Sequence, residues 1–227
     1  MPKKFNYNKK LYSTFFMKVV VGVSWRLAQI YDYFIDRKVC GCSLVRYVPS
    51  LYRESRGATG SQSTPYPVLK RVFGQYEHTA EDHLIDVGCG KGRVLAHLVN
   101  QHFPGKLHGI ELNQEVATYA QKWAKRYDNV EILSGDAFAL DYNQYTKLFM
   151  GRPFLPDTFE QFIQKLEREL THPITLFYWV DQQSGHLLDG RPGWQLLRRR
   201  WIFKIKGFYM AAYPQRYSVW VFTPGQS

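Results

Sequence analysis

The feature that most constrains this chain is a short apolar run that breaks into glycines: His83 to Val87, then Gly88-Cys89-Gly90-Lys91-Gly92-Arg93. Such a run, closed by glycine, reads as a buried strand. The glycines let the backbone turn sharply and let a ligand approach without a Cβ clash. From about Arg93 to His102 the pattern is helical. Strand, glycine turn and helix in that order open an α/β sheet of the kind that binds ligands at the carboxyl ends of its strands.

The spacing narrows the ligand. A dinucleotide fingerprint is G-x-G-x-x-G or A, with a small third residue so that helix and strand pack closely. Here that position is Arg93, which is far too large. Asp86 stands two residues before the first glycine, where it would repel a pyrophosphate and can accept from an ammonium, directly or through water. The next strand, Lys106 to Leu112, carries Glu111 near its end, where one carboxylate can accept from both hydroxyls of a ribose. Strand three, Val130 to Leu133, leads into Gly135-Asp136-Ala137. A third acid at that edge suits the exocyclic amine of an adenine. Each acid alone has a plain reading as a strand terminator or helix cap. Three in order, with the glycine loop at the first, point to a nucleoside carrying a charged amine.

The rest of the pattern agrees with an alternating sheet. Asn113 is placed to cap a helix bearing Val116, Tyr119, Ala120 and Trp123 on one side. Strand four is Lys147 to Met150. Asp157 opens a helix, with Glu160 three residues on as a variant capping box. Strand five is Ile174 to Val180. Two late runs, Trp201 to Tyr209 and Tyr217 to Phe222, flank a turn at Tyr213-Pro214-Gln215 and predict an antiparallel hairpin at a sheet edge.

The order of these motifs resembles the class I S-adenosylmethionine (SAM)-dependent methyltransferases over roughly residues 83–223. The resemblance implies a Rossmann-like α/β sheet of about seven strands, its last pair an antiparallel hairpin. Upstream, Asp36-Arg37-Lys38-Val39-Cys40-Gly41 and Gly57-Ala58-Thr59-Gly60-Ser61-Gln62-Ser63-Thr64-Pro65-Tyr66 resemble a group of bacterial methyltransferases distantly similar to the Dot1-type lysine methyltransferases. It implies that Thr59 to Tyr66 cover the methionine end of SAM. The implied cofactor set is Thr59, Thr64, Asp86, Gly88, Gly90, Glu111, Leu112, Asp136, Ala137 and Met150. Residues 1–67 are then a helical extension with a covering loop, and 68–227 the SAM-binding domain. The Gly/Ser/Thr/Pro-rich loop, Arg53 to Pro67, is expected to order on the cofactor.

One departure from that group bears on the reaction. Its members read Asn-Pro-Phe after strand four; here the run is Arg152-Pro153-Phe154. Arginine only donates and cannot accept from an amine, which weakens the case for N-methylation. Arg152, Tyr178 and Asp181, near the ends of strands four and five, are candidates to line the acceptor side. Neither the acceptor, a catalytic base nor the oligomeric state is legible.

Charge and composition set the remaining expectations. The 227 residues suffice for one α/β domain with an extension. The net charge is +11, and residues 1–56 hold eleven Lys/Arg against three Asp/Glu. That asymmetry suits an anionic partner, such as nucleic acid, a membrane surface or an acidic protein, with plain solubility as the alternative reading. A second basic cluster comprises Arg198, Arg199, Arg200, Lys204 and Lys206. Three cysteines without a framework indicate a reducing, cytoplasmic setting, and Cys40-Gly-Cys42 lacks the second pair that a zinc site needs. Lys18 and Arg26 break the N-terminal apolar run, so it reads as neither signal peptide nor membrane span. Leu11, Phe15, Val19, Val23, Leu27, Ile30 and Phe34 fall at helical spacing. That face is expected to pack on the catalytic domain, with a basic amphipathic helix lying on anionic lipid as the alternative.

Overall fold

In the computed structural model, which describes residues 15–211 and 214–225, the five apolar runs become parallel strands. They are β1 (His83–Val87), β2 (Lys106–Glu111), β3 (Val130–Ser134), β4 (Lys147–Met150) and β5 (Ile174–Trp179). Two long antiparallel strands, β6 (Trp194–Ile202) and β9 (Gln215–Phe222), complete a seven-stranded sheet in the order β3-β2-β1-β4-β5-β9-β6. Strand β9 returns beside β5, so β6 forms the edge. The strands β7 (Lys204–Ile205) and β8 (Phe208–Tyr209) make a separate small hairpin.

Both faces of the sheet are covered, as parallel strands require. Side chains alternate between two cores. Leu84, Phe149, Phe177 and Val219 face one layer, with helices α1 (Phe15–Cys40), α3 (Tyr66–Phe73), α4 (Arg93–Asn100) and α5 (Gln114–Ala124). Ile85, Val87, Met150, Tyr178 and Trp220 face the other, with α6 (Pro156–Glu169). A one-turn helix, α2 (Arg53–Arg56), lies in the loop before α3. Asn113 caps α5 as expected, its Oδ1 accepting from Glu115 N and Val116 N.

Three local expectations need correction. Helix α6 begins at Pro156 with Leu155 as its cap residue, so Asp157 sits inside the first turn and caps nothing; proline preset for N1 displaces the cap by two residues. The late hairpin starts at Trp194, not Trp201, and carries a bulge between Leu196 and Arg198. Consecutive arginines at 198–200 concealed that strand, because a charged run breaks the alternation that marks one.

The third correction concerns α1. It packs on α4 and β8, but by the face opposite to the one expected: Val21, Ser24, Ala28, Asp32, Asp36, Val39 and Cys40 are buried. Phe15, Val19, Val23, Leu27, Ile30 and Phe34 are all exposed; Leu11 lies outside the described residues. The reason is Arg93, fully inside the fold. Its guanidinium donates to Asp32 Oδ2 at 3.0 Å, Asp36 Oδ1 at 3.1 Å and Asp36 Oδ2 at 2.7 Å. Asp36 also accepts from Tyr66 Oη at 2.9 Å and Leu44 N at 2.8 Å, and Asp32 from Tyr66 N at 3.0 Å. An unpaired buried cation is far more expensive than an exposed apolar stripe. The two acids, one turn apart, therefore decide which face turns inward.

Candidate functional site

The chain order reverses between β1 and β4, because β2 and β3 lie to one side of β1 and β4, β5 to the other. Loops leaving β1 and β4 part there and open a crevice at the carboxyl edge. A cleft of about 1500 Å³ occupies it. The turn after β1 forms its floor. Gly88, Gly90 and Gly92 have φ of 72°, 56° and 82°, the left-handed region that glycine tolerates best. A Cβ on Gly88 would strike Pro153, and one on Gly90 would strike Ser61. The glycines thus admit the flanking loops as well as leaving room for a ligand.

Two acids meet beside that turn. Glu111, at the end of β2, accepts from Gly90 N and from Asn113 N, each at 2.9 Å. These bonds fix the carboxylate and tie it to the glycine turn while leaving lone pairs toward the cleft. Burial pushes its pKa up, against the pull of those backbone bonds. Asp86 is fully inside, and its Oδ2 has no hydrogen-bond partner. Burial, helped by the neighbouring Glu111 charge, holds its pKa well above the usual carboxylate range. An orphaned acid bordering the cleft lacks a donor that a ligand ammonium would supply.

The third acid is engaged. Asp136 Oδ1 accepts from Phe138 N at 2.9 Å, capping the short turn that follows, and Oδ2 accepts from Arg56 at 2.7 Å. Arg56 belongs to the covering loop, which is stitched to the segment after β4. Thr59 N donates to Pro153 O at 2.8 Å, Thr59 Oγ1 to Arg152 O at 2.7 Å, and Leu155 N to Gly57 O at 2.8 Å. Arg152 has φ of 57° and Val180 of 60°, strained values for side chains of these types, at the ends of adjacent strands.

Of the sequence-predicted cofactor residues, Thr59, Thr64, Asp86, Gly88, Glu111, Leu112, Asp136 and Ala137 line the cleft. Gly90 lies just behind it, covered by Ser61. Met150 does not reach it: strand alternation turns Met150 into the α6 core, where it is fully buried. On the acceptor side Arg152 lines the cleft. Tyr178 does not; its ring stacks on Phe159 at 4.8 Å. Asp181 is also fully buried, holding Arg216 Nε at 2.5 Å and Arg199 Nε at 3.3 Å. The fold adds lining residues that no sequence pattern marked: Trp25 from α1, Trp179, Trp201, Gln182 and Met210. For Trp179 and Trp201 the signal is the aromatic-rich last third of the chain, as in Phe177-Tyr178-Trp179 and Trp201-Ile202-Phe203.

Comparison with known proteins agrees with this geometry. Residues 84–172 match the family described as methyltransferase domain. A modification methylase of Paramecium bursaria Chlorella virus NC1A is 28% identical over 90 residues, covering 38% of this chain and 24% of the relative. A probable ribosomal RNA small subunit methyltransferase A of Methanococcus maripaludis is 25% identical over 121 residues, covering 53% and 41%. The chain thus spans less than half the length of either relative. An RNA methyltransferase from Salinibacter ruber, solved with S-adenosyl-L-homocysteine, superposes with a TM-score of 0.52 at 22% identity, over 73% of this chain and 95% of that one. From β1 to the end of α6 the chain is thus similar to a methyltransferase domain, and its seven-stranded sheet shares the Rossmann-like fold of the Salinibacter ruber enzyme.

Proposed function

We propose that the protein binds SAM in this cleft and transfers its methyl group to a small molecule or a protein. The observation that carries the cofactor is the Asp86–Glu111 pair. Glu111 presents an oriented carboxylate suited to two ribose hydroxyls. Asp86 offers a buried oxygen without a donor, suited to the methionine ammonium. Leu112, Asp136 and Ala137 would border the adenine, and Thr59 and Thr64 the methionine end. When bound, SAM supplies an electrophilic methyl group on a sulfonium. The chain's own part is to position the acceptor, exclude water and present a preorganised field; no side chain is assigned as a base.

Charge supports a small-molecule or protein acceptor. A nucleic-acid enzyme would gather cations at the mouth of its cleft. Here Arg53, Arg56 and Arg152 share the lining with Glu54, Asp136 and Asp157, and Arg56 is paired with Asp136. Within the second basic cluster, Arg199 is likewise paired with Asp181 and Asp189. The aromatic and amide lining at Trp25, Trp179, Trp201 and Gln182 suits a compact acceptor. A second reading, SAM binding without transfer, is favoured by Arg152 alone, which donates where the related group carries an accepting Asn. The loop 57–66 lying over the cleft supports the placement with the distantly Dot1-like group, and three free cysteines support a cytoplasmic setting.

Calorimetry with SAM tests the cofactor. Glu111→Ala should weaken binding by about 1.5–3 kcal/mol, the loss of hydrogen bonds to a charged acceptor. Tight NAD binding with no SAM binding would overturn the reading. Labelling of a cell extract with methyl-labelled SAM, fractionated into protein, nucleic acid and small molecules, identifies the acceptor class.

A further inference from the structure

We propose that the outward face of α1 docks this protein on an anionic lipid bilayer surface. Phe16, Val19, Val23, Leu27, Ile30 and Phe34 are 46–72% exposed. At 100° per residue they fall within one stripe about 100° wide along the helix. Six large apolar side chains on one exposed helix face are more than a solvated surface normally carries.

Charge complementarity selects the occupant. The cations of α1 are Lys18, Arg26, Arg37 and Lys38. Its acids are Asp32 and Asp36, and both are turned inward to Arg93. The outward half of the helix therefore carries apolar and basic groups without a counter-charge. In sequence, Lys3, Lys4, Lys9 and Lys10 lie just upstream. Arg26 and Arg37 sit along one margin of the stripe and Lys38 along the other, so cations meet headgroups while the apolar residues enter the boundary below them. A second copy of the chain would bring these cations against their own kind. An RNA would use the charge and leave the apolar stripe in water. Among the described residues no helix is long and apolar enough to cross a membrane, so α1 would lie in the interface.

The arrangement of α1 explains how one helix serves two surfaces. The Arg93 network holds its inner face without using any of the outward apolar residues. Docking on lipid therefore breaks no contact inside the fold.

The test is sedimentation of the full chain with vesicles of phosphatidylcholine, with and without phosphatidylserine. Strong pelleting only with phosphatidylserine is expected. Leu27→Glu and Phe34→Glu, each on the exposed stripe, should lower the partition coefficient at least tenfold with an unchanged melting temperature. Arg26→Glu should lower it too. Equal pelleting with both vesicles, or none with either, overturns the proposal. So does pelleting that Leu27→Glu leaves intact. A dimer in light scattering without vesicles, abolished by Leu27→Glu, assigns the stripe to a second copy instead. Binding of an RNA oligonucleotide in place of vesicles, unaffected by Leu27→Glu, assigns the charge to nucleic acid.

Discussion

Arg56 donates to Asp136 Oδ2 at 2.7 Å across the mouth of the cleft, occupying an oxygen that the proposed adenine amine would need. The pair is largely solvent-exposed, so it is worth about 0–1 kcal/mol. If Arg56 competes with the nucleoside, Arg56→Ala should tighten SAM binding, by no more than about fivefold on that energy. Calorimetry decides: weaker binding would make Arg56 a contact of the cofactor and not its competitor.

Asp86 sets stability against binding. Its pKa is raised by burial, with the Glu111 charge adding to it. The folded state thus prefers the protonated acid, and stability falls as pH rises above the ordinary carboxylate value. Asp86→Asn, which cannot ionise, should stabilise the ligand-free protein at neutral pH relative to the parent and lose that advantage at acid pH. The same change should weaken SAM binding about tenfold or more. Melting curves with and without SAM, at acid and neutral pH, measure both. A variant less stable than the parent at neutral pH would refute the argument.

Asp32 gives a sharper pH dependence. Burial pushes its pKa up from 3.8 to about 7, more than the Arg93 charge and the Tyr66 amide pull it down. A raised folded value means that its contribution is complete below the unfolded pKa and is lost as pH climbs to about 7. Asp32→Asn should therefore gain stability relative to the parent across that window and run parallel to it above. A difference that stays flat across the window would show that Asp32 does not titrate there.

Arg152 occupies a left-handed backbone position, φ 57°, that Asn or Gly adopts more easily. Arg152→Asn should raise stability by about 0.5–1 kcal/mol. It also restores an accepting oxygen on the acceptor side, so labelling of amine acceptors should rise. Unchanged stability together with lost transfer would instead make the guanidinium part of acceptor binding.

The parallel half of the sheet was readable because each strand ends in its own punctuation: Gly88 after β1, Asn113 after β2, Gly135 after β3. The acids that border the cleft follow from the same positions. What the sequence hid were relationships between distant segments. Nothing in periodicity says that Arg93 will call Asp32 and Asp36 inward, so the apolar stripe of α1 was turned the wrong way. Met150 and Tyr178 lie at or near the carboxyl ends of their strands, the edge that holds the cleft. One residue of alternation sends each into the α6 core. Asp181 looked accessible for the same reason, yet two arginines from the antiparallel strands close over it. Arg56 gave no signal at all, since a four-residue helical turn in a polar loop has no pattern of its own.

The ion cluster that seats α1 has a consequence for synthesis. Asp36 and Arg93 are 57 residues apart. At about 5–20 residues per second, the guanidinium leaves the ribosome on the order of 3–10 s after the acids it must meet. During that interval the nascent helix lacks both its buried partner and α4, the helix on which it packs, while its apolar side is already complete. A chaperone or a nearby bilayer therefore has several seconds to capture the segment before the rest of the polypeptide can claim it.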